Sequence, residues 1–158
     1  MHFIKRKVNE LVKRFNSNDP FEIAEGLNII VLFEDLGKTL GYYSSYKRYQ
    51  FIHINNRLDE TLHRPVCCHE LGHAILHPNS NTPFLKSKTF YAAEKIEVEA
   101  NKFTVEMLLP DEDILKYKNT NISLKEIAQI HRVPQEICHL KKILTQNRNI
   151  GSFITIYK

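Results

Sequence analysis

The chain has 158 residues, of which 42% are hydrophobic and 25% are charged. This length predicts one domain, or one core with a small appendage, and the composition excludes an intrinsically disordered chain. The formal net charge of +4 favours an acidic partner only weakly, because the basic residues are spread along the sequence. No targeting segment is visible and no apolar run reaches membrane-spanning length, so we expect a cytoplasmic protein that does not bind membranes.

Helical and strand patterns follow one another along the chain, and turn residues and prolines set most of their boundaries. Whether residues 59–64 belong to the third helix stays open, because Pro65 would kink that helix. The three strand patterns predict a small antiparallel sheet. The predicted elements, in chain order, are a helix ending near Phe15, a helix over 20–26, strands over 29–33, 40–46 and 49–55, a helix over at least 66–76, a long helix over 91–109, helices over 111–117, 124–131 and 134–146, and a short strand over 152–157.

The third helix carries His69-Glu70-Leu71-Gly72-His73. Two histidines four residues apart lie on one helix face, where neutral imidazoles can bind one zinc ion. Glu70 lies beside them and can reach a metal-bound water as a general base without binding the metal itself. Gly72 costs about 1 kcal/mol of helix propensity relative to alanine, and the simplest reason for it is the close approach of another backbone. The pattern predicts metal-assisted hydrolysis.

A third ligand must come from another element. His77 lies eight residues after His69, about 12 Å along a straight helix, so both cannot reach one zinc ion. His77 is better suited to the C-terminal end of the helix, where an imidazole can interact favourably with the last carbonyl groups. The long helix offers Glu97 on a half-buried face, and Glu97 is the predicted third ligand with Glu94 as second choice. Glu99 falls on a stripe of alternating charge, which is typical of a solvated face.

These residues resemble the ImmA/IrrE family of gluzincin metallopeptidases, over roughly residues 18 to 140. The segments that carry the resemblance are Asp19-Pro20-Phe21-Glu22-Ile23-Ala24, the strand ending at Asn55, His69 through His77, Glu97 through Phe103, and Leu108-Leu109-Pro110. The resemblance implies an α+β, zincin-like metallopeptidase core with a small antiparallel sheet, the His-Glu helix, and C-terminal helices of helix-turn-helix type. The predicted division is a core over residues 1–118 and a C-terminal helical segment, packed on the core, over residues 119–158.

The resemblance also implies the roles of the site residues. His69, His73 and Glu97 would bind Zn²⁺, Glu70 would be the catalytic base, and Asn101, one turn after Glu97, would support the ligands. The implied substrate is a helix-turn-helix repressor, cut to release transcription of a prophage or another mobile element. The resemblance leaves the oligomeric state open.

An additional donor for the oxyanion would assist peptide hydrolysis. Tyr43, Tyr46, His53 and Tyr91 are the candidates, and the sequence alone does not choose among them. For each of them, a packed or surface aromatic ring is the simpler role.

Two further patterns concern other chemistries. Residues 123–134 resemble a DNA-binding helix-turn-helix, but Arg132 stands where glycine is usual and few basic residues follow, so we do not expect nucleic acid as a partner. The three cysteines, Cys67, Cys68 and Cys138, have apolar neighbours and are predicted to be small buried hydrophobes.

Two alternatives to a protease remain. One is a transcription regulator or antirepressor that acts by binding a repressor or DNA without cutting it. The other is an interaction module that zinc only stabilises. Glu70 favours the protease over such a module, because a structural zinc ion has no use for a free carboxylate at its open position.

Overall fold

The computed structural model describes residues 2–80 and 90–143. In that part of the chain, six α-helices surround one three-stranded sheet, which confirms the predicted α+β class. The elements are α1 (His2–Phe15), α2 (Pro20–Gly26), β1 (Ile29–Glu34), β2 (Gly41–Tyr46), β3 (Tyr49–Asn55), α3 (Glu60–Leu76), α4 (Phe90–Leu108), α5 (Asp111–Leu115), α6 (Leu124–Ile130) and a 3₁₀ turn (Cys138–Leu140).

The sheet has the strand order β1-β3-β2 and is mixed. Strands β2 and β3 form the predicted antiparallel hairpin, but β1 pairs with β3 in parallel, from Ile29 opposite Gln50 to Glu34 opposite Asn55. The prediction of a wholly antiparallel sheet was therefore wrong for β1. Strand β3 takes the centre because it is the strand with the most buried side chains, and this leaves β2 at an edge of the described sheet.

One face of the sheet builds the core with the helices. Tyr43, Ile52 and Ile54 are fully buried on this face, in one cluster with Leu71 of α3 and Phe103 of α4. Helix α3 packs against β2 and β3. The edge of β2 consequently lies beside the helix that carries the His-Glu pattern.

Helix α3 begins earlier than residue 66 and includes Pro65. Asp59 caps its first turn by accepting a hydrogen bond of 2.9 Å from the backbone N–H of Thr61. Pro65 removes one backbone donor within the helix, and the cap stabilises the turn before that gap. The helix ends at Leu76, where the N–H of His77 still bonds to the carbonyl of His73 and Pro78 prevents a further turn.

Gly72 allows α3 and α4 to approach closely, as predicted. A Cβ atom at this position would lie 3.2 Å from the Cα of Ala100 and 3.2 Å from the side chain of Phe103. The glycine thereby sets the spacing between the two helices that carry the candidate ligands.

The C-terminal segment departs from the prediction. The helix expected over residues 134–146 is absent from its described part, 134–143, where consecutive turns bond residue i to i+3 and only Cys138–Leu140 forms a 3₁₀ turn. The second helix of the predicted helix-turn-helix is therefore not formed there. Arg132 adopts a φ of 55°, the left-handed conformation that glycine would take at that turn. The strand predicted over 152–157 lies outside the described residues.

A buried ion cluster explains why the segment is not helical. The Lys141 side chain is 1% exposed, and its Nζ lies 2.7 Å from Glu106 Oε2 and 2.8 Å from Asp111 Oδ1. Lys5 Nζ lies 2.6 Å from Asp111 Oδ2. These ion pairs fix the direction of the chain after Cys138, which is itself buried. The predicted boundary at residues 118 and 119 stays a prediction.

Candidate metal centre

Helices α3 and α4 bring three ligand-type side chains together. The Nε2 atoms of His69 and His73 are 3.1 Å apart, one turn from each other on α3. Glu97 of α4 places Oε2 3.1 Å from His69 Nε2 and Oε1 3.4 Å from His73 Nε2. Among residues 2–80 and 90–143, these three form the one group of His, Cys, Asp or Glu side chains that could hold a metal ion.

The spacing of this group fits a tetrahedral zinc site. Bonds of about 2.0–2.1 Å at tetrahedral angles separate two ligand atoms by about 3.3 Å. The two imidazole nitrogens are 3.1 Å apart, and each has a different Glu97 oxygen at 3.1 or 3.4 Å. Two imidazole nitrogens and one carboxylate are a donor set that zinc prefers in catalytic sites, where a fourth position stays open. The residues present therefore fit a zinc ion.

The electrostatics of the group are those of a cation site. Hydrogen bonds with His69 and His73 hold the pKa of Glu97 well below its usual range. Burial alone would lower the pKa of His69, but the hydrogen bond with Glu97 and the charges of Glu70 and Glu97 outweigh it and raise that pKa. Negative charge is concentrated here, and a bound dication would compensate it while favouring neutral imidazoles.

Glu70 lies behind the ligand group and is almost completely buried, with 6% of its surface exposed. Burial raises the pKa of this carboxyl, and the neighbouring charges of His69 and His73 oppose the rise. The backbone N–H of Tyr43 in β2 donates a hydrogen bond to the carboxylate. Its Oε2 atom is buried and has no hydrogen-bond partner among the residues that the structure describes. One oxygen of Glu70 is thus positioned by β2 while the other can still accept a proton.

Gly41 makes room for Val66 of α3 and for the β3 backbone beside Glu70, and the sequence reasoning missed it. A Cβ atom there would lie 2.7 Å from Val66 Cγ1, 2.8 Å from the carbonyl oxygen of His53 and 3.6 Å from Glu70 Cγ. A glycine at the first position of a strand carries no signal of this contact, because the contact depends on how β2 packs against α3.

Asn101 lies one turn after Glu97 on α4, and its side chain hydrogen-bonds to His69. This contact agrees with the supporting role that the family resemblance implies. The other three glutamates of α4, which are Glu94, Glu99 and Glu106, lie outside the ligand group. Glu94 is exposed. Glu99 is not simply solvated, because its Oε2 lies 3.0 Å from Nε2 of His77.

The hydroxyl of Tyr43 already has partners. It donates a hydrogen bond of 2.9 Å to the carbonyl of Pro78 and accepts one of 2.8 Å from Gln50 Nε2. Tyr43 therefore contributes its backbone N–H to the site, while its ring belongs to the core.

The remaining candidate oxyanion donors differ in their surroundings. Both ring nitrogens of His53 are engaged, Nδ1 at 2.7 Å from Glu34 Oε2 and Nε2 at 3.1 Å from Ser44 Oγ. Tyr46 is 67% exposed at the end of β2. The side chain of Tyr91 lies outside the described residues. An oxyanion role for any of them stays a prediction.

A cleft leads to the ligand group. It encloses about 1440 Å³ between β2, the loop after β1, the start of α3 and the C-terminal segment. His69, Glu70, His73 and Glu97 line it together with Asn101. Its apolar lining includes Leu32, Leu36, Leu40, Tyr42, Val66 and Ile137.

The three cysteines are free and buried, as predicted. Burial raises the pKa of the Cys68 thiol to about 12, and the hydrogen bond with Thr104 only partly opposes it. A thiol with so high a pKa is a poor nucleophile at neutral pH. In the described ranges, no helix is both long and apolar enough to span a membrane.

Known proteins share this site region. The model of the peptidase M78 family, described as the IrrE N-terminal-like domain, matches residues 24–141. A phage relative, "Uncharacterized immunity region protein 2" of Bacillus phage phi105, is 45% identical over 141 residues, or 89% of each chain. The metallopeptidase ImmA of Bacillus subtilis strain 168 is 33% identical over 155 residues, which are 95% of this chain and 87% of that protein. The matches confirm the family resemblance, and the chain belongs to the peptidase M78 (IrrE N-terminal-like) family of metallopeptidases.

Proposed function

We propose that this metallopeptidase is a zinc-dependent endopeptidase in which His69, His73 and Glu97 hold the metal and Glu70 is the general base. The observation that carries the proposal is Glu70 Oε2, a buried carboxylate oxygen without a partner in the described structure, next to a group with the spacing of a zinc site. A buried charged oxygen is costly unless something binds it. A water on its way to attack a carbonyl would bind it.

The chemistry divides between the metal and the chain. Zinc bound to the three ligands would polarise the scissile carbonyl and lower the pKa of water. Glu70 takes the proton of the attacking water on Oε2 and delivers it to the leaving amine. The N–H of Tyr43 holds the other carboxylate oxygen, so Glu70 is oriented before the substrate arrives. Asn101 orients the ring of His69.

The cleft suits a polypeptide. A volume of about 1440 Å³ exceeds the roughly 300–1,000 Å³ of ordinary small-molecule pockets. Strand β2 is an edge of the described sheet, so an extended segment of substrate can lie along it while the scissile bond lies near Glu70. The apolar lining favours large apolar side chains at the bound positions.

We further propose that the substrate is a helix-turn-helix repressor of a prophage or another mobile element, cut in the cytoplasm. One relative is named for a phage immunity region and the other is a metallopeptidase. Immunity depends on a repressor, and a peptidase can inactivate one.

The decisive experiment combines the purified zinc-loaded protein with the repressor encoded beside its gene. We expect fragments with the wild type and none with Glu70→Gln, because loss of a general base costs about 10²–10⁴-fold in rate. Both proteins should bind one equivalent of zinc, measured by metal analysis. A chelator should stop cleavage by the wild type, and added zinc should restore it.

One outcome would contradict the proposal. If the repressor stays intact but no longer binds its operator DNA in the presence of the wild type or of Glu70→Gln, the chain acts as a non-proteolytic antirepressor. Cleavage that Glu70→Gln retains in full would refute the assignment of the base.

A further inference from the structure

A second contact between α3 and α4 lies next to the candidate ligands. His77 Nε2 is 3.0 Å from Glu99 Oε2, a close polar contact outside hydrogen-bond geometry, and the two side chains are 17% and 28% exposed. Neither residue belongs to the ligand group. The proposed chemistry does not use them.

The contact between His77 and Glu99 lies on one side of the line where α3 packs on α4, and Glu97 lies on the other side. Two residues along an α-helix are about 200° apart, so Glu97 and Glu99 leave α4 on different sides. Between them, Ala100 packs on Gly72. His77 follows the last turn of α3 with a non-helical backbone (φ −137°, ψ 52°), and its ring reaches Glu99 from there.

Glu97 hydrogen-bonds to His69 and His73, and whether it reaches them depends on the position of α4. The Glu97 side chain is 50% exposed, whereas that of His73 is 1% exposed. A rotation of α4 by about 20° would move a group about 6 Å from the helix axis by about 2 Å. Metal–ligand distances tolerate only about 0.2 Å. The rotation of α4 therefore decides whether Glu97 reaches the metal.

We propose that His77 and Glu99 are a positioning pair, which fixes the rotation of α4 against α3 and so holds Glu97 at the metal site. The inference rests on the proposed ligand set. The pair acts on Glu97 through the helix and does not touch the metal.

The test measures zinc affinity by competition with a chromophoric chelator. We expect Glu99→Gln and His77→Gln each to weaken zinc binding about tenfold, the lower end for residues that orient metal ligands. The double variant should be no weaker than either single one, because both remove the same contact. Glu94→Gln is the matched control, since it makes the same change on an exposed site of α4 and should bind zinc like the wild type.

The Co²⁺-loaded proteins give a second readout. The visible absorption of bound Co²⁺ reports the ligand geometry. We expect Glu99→Gln and His77→Gln to change this spectrum in the same way, and Glu94→Gln to leave it unchanged. His77→Lys should restore zinc affinity and spectrum, because an ammonium group can pair with Glu99 but cannot replace an imidazole ligand.

Several results would overturn the inference. If both glutamine variants bind zinc normally and only lower the melting temperature of the metal-free protein, the pair is merely structural. If His77→Gln weakens binding and Glu99→Gln does not, or if the double variant shows additive losses, His77 acts on its own. Glu97→Gln separates the inference from the proposed function: if that variant binds zinc like the wild type, the ligand set itself is wrong.

Discussion

Replacing Gly41 by alanine should damage catalysis without removing the metal. The new Cβ would lie 2.7 Å from Val66 Cγ1 and 2.8 Å from the carbonyl oxygen of His53. Carbon atoms pack at about 3.5–4.0 Å, so the contact with Val66 is short by about 1 Å. The carbonyl belongs to the β3 backbone and cannot move far, so β2 and α3 must separate.

This separation acts on Glu70, whose carboxylate is held by the N–H of Tyr43. Overpacking costs about 1–3 kcal/mol, and the lower entropy of an unfolded alanine offsets about 0.4–1 kcal/mol of it. We expect a net loss of about 1–2 kcal/mol in the free energy of unfolding. A displacement of about 1 Å at a reacting group can cost about 10²-fold in rate. Zinc affinity should stay within about twofold, because Gly41 contacts no metal ligand.

The assay compares urea unfolding, zinc affinity and kcat/KM for Gly41→Ala and Gly37→Ala. Gly37 has a φ of +60° and no atom near its hypothetical Cβ, so alanine there costs about 1–2 kcal/mol of strain and contacts neither Glu70 nor a candidate metal ligand. It is a control for stability loss without catalytic loss. The reasoning is refuted if Gly41→Ala keeps the wild-type kcat/KM, or if both variants lose activity in proportion to their stability.

Three further predictions concern the ion cluster and the ligand support. Lys141→Met should lower the free energy of unfolding by about 3 kcal/mol, because it removes the positive charge that lies against the carboxylates of Glu106 and Asp111. Lys116→Met is the control, since its lysine side chain is 70% exposed in an ion pair with Asp113. It should cost less than about 1 kcal/mol in the same urea titration. Burial would raise the pKa of Asp111, but hydrogen bonds with Lys141 and Lys5 outweigh it and lower that pKa below 3.8. The cluster therefore contributes stability above about pH 3.8, and this stability is lost as the pH falls through the lowered pKa of Asp111. The difference in free energy of unfolding between the wild type and Asp111→Asn should consequently become smaller in acid. A difference that does not change with pH would contradict this prediction. Asn101→Ala should weaken zinc binding about tenfold, and wild-type affinity by chelator competition would exclude its supporting role.

Short-range patterns predicted most of the elements and the ligand group. The spacing of His69 and His73 is a property of one helix, and the half-buried face of α4 identified Glu97 before any contact was known. Both arguments need only helical geometry. The structure places these three side chains together. The assignment as zinc ligands is tested by the metal-binding experiments above.

The incorrect predictions share a physical cause, because each of these features depends on contacts between distant parts of the chain. Alternating charge on α4 indicated a solvated face, but Glu99 contacts His77 and Glu106 contacts Lys141. A local pattern cannot distinguish water from a side chain that is distant in the sequence. The helix predicted over 134–146 failed for the same reason, because Lys141 is held in the buried cluster.

The division of the site between elements has a consequence for every variant near it. The proposed metal ligands depend on how α3 meets α4, through Gly72 and, in our proposal, through the pair of His77 and Glu99. The proposed base, Glu70, depends on how α3 meets β2, through Gly41 and the N–H of Tyr43. A change at the first contact should therefore reduce zinc affinity, and saturating zinc should restore the rate. A change at the second should reduce the rate even when zinc is saturating. A variant of Gly41 that added zinc rescues would show that the two contacts are not independent.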